Sequence, residues 1–211
     1  MVSALVLNML VAHAFGPYTS GSTGYDVSYP QCPGTPAPAG SFGIIGVNDG
    51  RPFTLNPCFG TEYSGVANST YINTGYAKAY RSKITSGCSS GGDQAWQIGC
   101  SEAEYSLNHA GVSPSMWWLD VETANSWSSG NLAPNRDTIQ GLFDRLKSQA
   151  PVGVYSTASA WTRITGGQFV PTGGIAGDWV AGGSCTQPFM PNTTVWLTQT
   201  TSGGVDSDTA C

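Results

Sequence analysis

Charged side chains are scarce in this 211-residue chain, which has eight Lys and Arg, thirteen Asp and Glu, and two His. Eight scattered cations in a chain of net charge −5 build no basic patch, which argues against nucleic acid or an anionic membrane surface as partner. Histidine is too rare for a Ser-His-Asp triad or a multi-His zinc site. His13 falls in an apolar leader, and His109 falls on an expected helix, where it reads as a surface or capping residue. The many glycines follow no phosphate-cradling pattern ending in Lys-Ser or Lys-Thr, and there is no Cys-x-x-Cys pair. A calcium site at Asp206 and Asp208 stays open on residue type but lacks the twelve-residue loop pattern, and the expectation is no metal and no cofactor. No apolar run is long enough to span a bilayer, and no repeat or low-complexity linker divides the chain.

What the chain does carry is a core. Forty per cent of its residues are hydrophobic, including seven Trp, nine Tyr and seven Phe, enough for one well-filled domain. Six cysteines suggest an oxidised framework. Six allow fifteen pairings, of which the nearest-neighbour set (Cys32–Cys58, Cys88–Cys100, Cys185–Cys211) is preferred. Val2 to Val11 is mostly apolar, and Ala12-His13-Ala14 has the form of a signal-peptidase site, although no basic residue precedes the run. Residues 1–14 therefore read as a secretion signal lacking its usual basic start. Residues 15–211 read as one extracellular domain, expected to be a monomer.

Strands are expected at Gly24–Ser28, Phe42–Val47, Thr70–Thr74, Met116–Glu122, Val152–Thr157, Asp178–Ala181 and Val195–Thr200. Helices are expected at Gln94–Ala110, Asn135–Gln149 and Ser159–Ile164; in the second, Ile139, Leu142, Phe143 and Leu146 recur at helical spacing between Pro134 and Pro151. Apolar strands separated by helices imply parallel pairing. Seven or eight strands in so short a chain predict an α/β fold, a compact, irregular TIM-like (β/α) barrel in a single disulfide-stapled domain. In such barrels the chemistry sits at the C-terminal ends of the strands.

The acidic residues concentrate there. In Trp117-Trp118-Leu119-Asp120-Val121-Glu122, Asp120 and Glu122 stand at i and i+2, so they share one face with Cα atoms roughly 6.5–7 Å apart. Two adjacent carboxylates push their pKa values apart, giving an acid and an anion at one pH, as glycoside hydrolysis requires. Asp26 ends the first strand, and Asp206 and Asp208 sit just after the expected last one. Aromatic rings at or after strand ends suit sugar faces: Tyr155, Trp161, Trp179, and above all Trp127 in the loop after Glu122. Each is also a candidate for plain core.

These segments resemble the glycoside hydrolase family 25 muramidases. The resemblance rests on Gly24-Tyr25-Asp26-Val27-Ser28 with Gln31, Leu119-Asp120-Val121-Glu122, Gly153-Val154-Tyr155-Ser156, and Gln199 followed by Val205-Asp206, in order across nearly the whole expected mature chain. The fit is closest to a secreted actinobacterial branch, with Tyr-Asp-Val-Ser-x-Pro-Gln-Cys, Asn-Pro-Cys and a final Asp-x-Asp-x-x-Cys. The resemblance implies a flattened barrel, and hydrolysis of the β-1,4 bond after N-acetylmuramic acid by a retaining enzyme. Glu122 would be the general acid, and Asp120 would stabilise the cation or orient the acetamido group. Asp26 and Asp206 would complete the cavity, with Tyr155, Trp127, Trp179, Gln199 and Asp208 against the cell-wall glycan. Thr200 stands where the family has Tyr, and the disulfides are not a general family feature. Two alternatives stay open: a glycosidase for another wall polysaccharide, and a barrel that binds wall carbohydrate without cutting it.

Overall fold

The computed structural model describes residues 16–34, 38–202 and 205–211; the expected signal, residues 1–14, lies outside them. Eight strands close a barrel in sequence order: β1 (Thr23–Val27), β2 (Gly43–Gly46), β3 (Ala67–Asn73), β4 (Met116–Asp120), β5 (Val152–Ser156), β6 (Asp178–Ala181), β7 (Val195–Ser202) and β8 (Val205–Ala210). Neighbours from β1 to β7 run parallel, and β8 closes the ring antiparallel to both β7 and β1. Four helices intervene: α1 (Phe59–Glu62), α2 (Gln94–Ala110), α3 (Ala133–Leu146) and α4 (Ala158–Thr165). None is long and apolar enough to cross a membrane, among the described residues.

Period-two alternation sorts the side chains into two layers. Trp117 and Leu119 of β4 face outward into a cluster with Ile139, Leu142 and Phe143 of α3 and Trp161 and Ile164 of α4. Met116 and Trp118 face inward with Phe42, Ile44, Trp179 and Leu197, filling the barrel. Below them Tyr18 plugs the base: Trp118 Nε1 donates to the Tyr18 hydroxyl (2.8 Å), which donates to Ser69 Oγ (2.7 Å).

The helices have local causes. Asp93 caps α2 by accepting from the Trp96 N–H (2.9 Å), and Gly111 ends it at φ 61°, where a Cβ would be strained. Thr157 caps α4 in the same way. The α2–α3 contact is unusually close: a Cβ on Gly99 would lie 1.9 Å from the Thr138 carbonyl oxygen, and one on Gly141 2.1 Å from that of Trp96.

Three disulfides join Cys32–Cys58, Cys88–Cys100 and Cys185–Cys211, across 26, 12 and 26 residues. In the chain-entropy picture each loop of that size is worth about 3 kcal/mol.

The structure alters three expectations. The acidic segment after β7 is itself a strand, β8. Strand β4 ends at Asp120, so Glu122 lies two residues beyond it. Helix α3 runs Ala133–Leu146 rather than Asn135–Gln149, with Pro134 inside its first turn, where no backbone N–H is needed.

Candidate active site

A cavity of about 370 Å³ opens where the parallel strands end. Asp26 from β1, Asn73 from β3, Asp120 from β4, Glu122 just past it, Tyr155 from β5, Trp179 from β6, Gln199 from β7 and Asp206 from β8 all line it. Strand ends converge there because the ladder is nearly in step: Asn73 pairs with Asp120, Asp120 with Tyr155, and Asp26 with Asp206. Among the described residues no Lys, Arg or His lines the cavity, so four carboxyls face one another without a cation from that set.

Hydrogen bonds hold them. The Asn73 amide donates to Asp120 Oδ2, while Asp120 Oδ1 has no donor among the described residues. The Tyr155 hydroxyl donates to Gln199 Oε1 (2.7 Å), which turns the Gln199 amide so that Nε2 donates to Asp26 Oδ2 (2.8 Å). Thr201 Oγ1 donates to Asp206 Oδ1 (2.5 Å). The turn after β1 is fixed by Gln31, whose Oε1 accepts from the Ser28 N–H (2.9 Å).

Burial and repulsion raise the acids' proton affinity. Burial first, then the charges of Glu122 and Asp26, push Asp120 well above the usual carboxylate range. Burial pushes Asp26 up to about 7, helped by Asp206 and Glu122 and opposed by the bond from Gln199. Glu122 is raised by burial and by Asp206, yet is only half-buried, so an incoming group can reach it. The cavity therefore offers both carboxylic acids and carboxylates near neutral pH.

The structure brings seven of the nine expected site residues to one surface: Asp26, Asp120, Glu122, Asp206, Tyr155, Trp179 and Gln199. Asp208 is not among them. Fully buried, it accepts from Trp179 Nε1 (2.9 Å) beneath the cavity floor. Trp127 does not line the cavity either. Its Nε1 donates to the Glu122 carbonyl oxygen (2.7 Å), and its ring lines a separate hollow with Arg163 and Ile164. Trp161 is core, with no exposed surface, and His109 sits exposed in the last turn of α2. Among the described residues no group of three or more His, Cys, Asp or Glu could hold a metal ion.

Sequence reasoning missed Asn73, Tyr71 and Tyr29. Asn73 and Tyr71 sit two apart on β3, and the strand-end rule applied to that strand would have found Asn73. Tyr29, 43% exposed at the rim, is an aromatic surface of the kind sought at Trp127.

A family model described as lysozyme-like protein 1 matches residues 63–173, just over half of the chain. No curated protein sequence matches. Among solved structures the chain is similar to the CTP1L endolysin (TM-score 0.59, 13% identity, 90% of this chain and 66% of that one). It is also similar to the modular Cpl-1 endolysin, seen with a peptidoglycan analogue (0.58, 15%, 90% and 54%). A third is the catalytic domain of endolysin ply40 from bacteriophage P40 of Listeria monocytogenes (0.50, 18%, 90% and 92%). The chain thus spans just under two thirds of the first and about half of the second. At such identities the likeness is one of fold.

Proposed function

The chain belongs to the lysozyme-like protein 1 family, and from that premise we propose that it is a secreted glycoside hydrolase cutting the glycan strand of bacterial cell-wall peptidoglycan. The observation that carries this reading is the convergence of Asp26, Asp120, Glu122 and Asp206 on one open cavity, with no balancing cation among the described residues. A module that only bound sugar would gain nothing from this repulsion. The Cpl-1 neighbour, which holds a peptidoglycan analogue, supports a wall glycan as substrate. Three disulfides support oxidation outside the cytoplasm.

In the proposed reaction Glu122, the accessible raised carboxyl at the rim, protonates the departing glycosidic oxygen as its bond to the sugar breaks; water then bonds to the sugar carbon and returns a proton to Glu122. Asp120, held by Asn73 beside it on the neighbouring strand, faces the sugar ring on which positive charge develops. Asp26 and Asp206 add negative field that strengthens as the oxocarbenium-like centre forms. Tyr29 and Tyr155 supply aromatic surface to the sugar.

The test is incubation with purified wall fractions and mass analysis of released fragments. Glu122→Gln keeps shape and hydrogen bonding but cannot donate a proton to the leaving group. It should lower turnover by a factor on the order of 10² or more, with melting temperature and glycan binding nearly unchanged. Near-normal hydrolysis by this variant would remove Glu122 from the acid role. Binding of wall glycan by the unmutated protein with no fragment released from any fraction would establish a binding module instead.

A further inference from the structure

Asp208 is a carboxyl the reaction above does not use. It pairs across the sheet with Gln199 of β7 and Gly24 of β1, one inward step deeper than the Asp206–Asp26 pair. Gly24 places no side chain opposite it. Asp208 Oδ1 accepts from Trp179 Nε1, and Oδ2 meets no N–H or O–H donor among the described residues. What Asp208 does face is Asp26, its diagonal neighbour on the inward face of the β1–β8 ladder, near enough that each carboxyl acts on the other's proton affinity.

Two carboxyls can hydrogen-bond only through a proton that one of them carries. The surrounding donors leave that proton nowhere else to come from. The Trp179 indole donates and cannot accept, and the Gln199 amide is already turned by Tyr155 to donate to Asp26. The ionisable groups acting on Asp208 are Asp26 from β1, Asp206 from its own strand and Tyr18 below, with no lysine or arginine among them. Asp208 has no exposed surface, whereas Asp26 opens on the cavity, so ionising Asp208 is the costlier choice.

We propose that Asp208 is a positioning residue, a neutral carboxylic acid that donates its proton to Asp26 and thereby orients that carboxyl and favours its ionised form against the burial that opposes it. Burial and the neighbouring acids raise Asp208 well above the carboxylate range, and its hydrogen bond lowers Asp26, in agreement with the geometry. The relevance of this proton to turnover rests on the hydrolase reading; its existence does not.

The experiment follows the side-chain carboxyl ¹³C resonances of aspartate-labelled full chain, disulfides intact, from pH 4 to pH 9. Asp26→Asn and Asp208→Asn assign the two signals. One carboxyl should stay in the protonated position after Asp26 has titrated, and its signal should vanish in Asp208→Asn. The Asp26 midpoint should rise by about one pH unit in Asp208→Ala, which loses the donor. It should return to the wild-type value in Asp208→Asn, whose amide donates to Asp26 and accepts from Trp179. A midpoint that falls in Asp208→Ala would show Asp208 to be an anion, and one that stays put would show it to be filler; either overturns the proposal. If Asp208→Ala does not fold, Asp208→Asn decides alone, because removing an anion would lower the Asp26 midpoint by more than a unit. On a wall substrate the acidic limb of the kcat/KM profile should move with the midpoint. A protein that shows these titrations and releases no fragments would sink the hydrolase reading and leave the shared proton standing.

Discussion

Stability should fall as pH rises from mildly acidic to neutral, the reverse of ordinary acid denaturation. In the unfolded chain Asp26 ionises near its model value of 3.8; in the fold it holds its proton to about 7. Between those values the native state binds more protons, so its contribution is full below about pH 4 and is lost as pH climbs through 7. The loss is on the order of 4 kcal/mol in all, roughly 3 of it between pH 4.5 and 7.5. Asp120, Asp208 and the buried Glu102, all raised well above their ordinary values, act in the same direction. The assay is urea unfolding with disulfides intact at four pH values across that range. Asp26→Asn should flatten the slope by roughly 3 kcal/mol and equal or exceed the wild type in stability at pH 7.5, because an amide has no charge to desolvate. Stability that is level or rising over this range would mean that the fold accommodates the ionised acids freely, and the argument would fail.

Other expectations concern packing. Gly99→Ala or Gly141→Ala would normally favour a helix, yet each added methyl meets a backbone oxygen of the opposing helix. Thermal unfolding should show a net loss of about 1–3 kcal/mol, while Gly130→Ala, which meets nothing, stays near wild type. Trp127→Ala should cost about 2–3 kcal/mol of stability, since a half-buried ring and its bond to Glu122 are lost together. Were Trp127 a sugar platform instead, the Michaelis constant would rise with the melting temperature unchanged. Tyr29→Ala should do the latter.

The parallel strands were legible because both of their faces are apolar or nearly so: Trp117 and Leu119 outward, Met116 and Trp118 inward. Strand β8 was not. Its inward residues are Asp206, Asp208 and only then Ala210, so the alternation that marks a strand has almost no apolar half, and it is recognised by its partners β7 and β1. The same cause misplaced Asp208. Its distance from the cavity depends on register with Gln199 across the β7–β8 turn and with Gly24, which is far away in sequence. Asp120 and Glu122 were legible because spacing of two is a local property. Trp127 was not, since its loop folds back so that the indole serves the Glu122 backbone rather than the cavity.

The closing strand has an architectural consequence. Because β8 runs against the others, it ends at the plugged base, where Ala210 and Gly21 exchange a backbone hydrogen bond and Ser20 Oγ donates to the Cys211 carbonyl oxygen (2.6 Å). The segment leading into β1 and the last residue of β8 therefore meet on the side opposite the acidic mouth. A partner domain fused through a linker at either end would be carried behind the barrel, leaving the cavity facing forward. Such a layout suits assembly from interchangeable parts: the acidic face and the attachment point are separated by the full depth of the sheet, so exchanging one need not disturb the other.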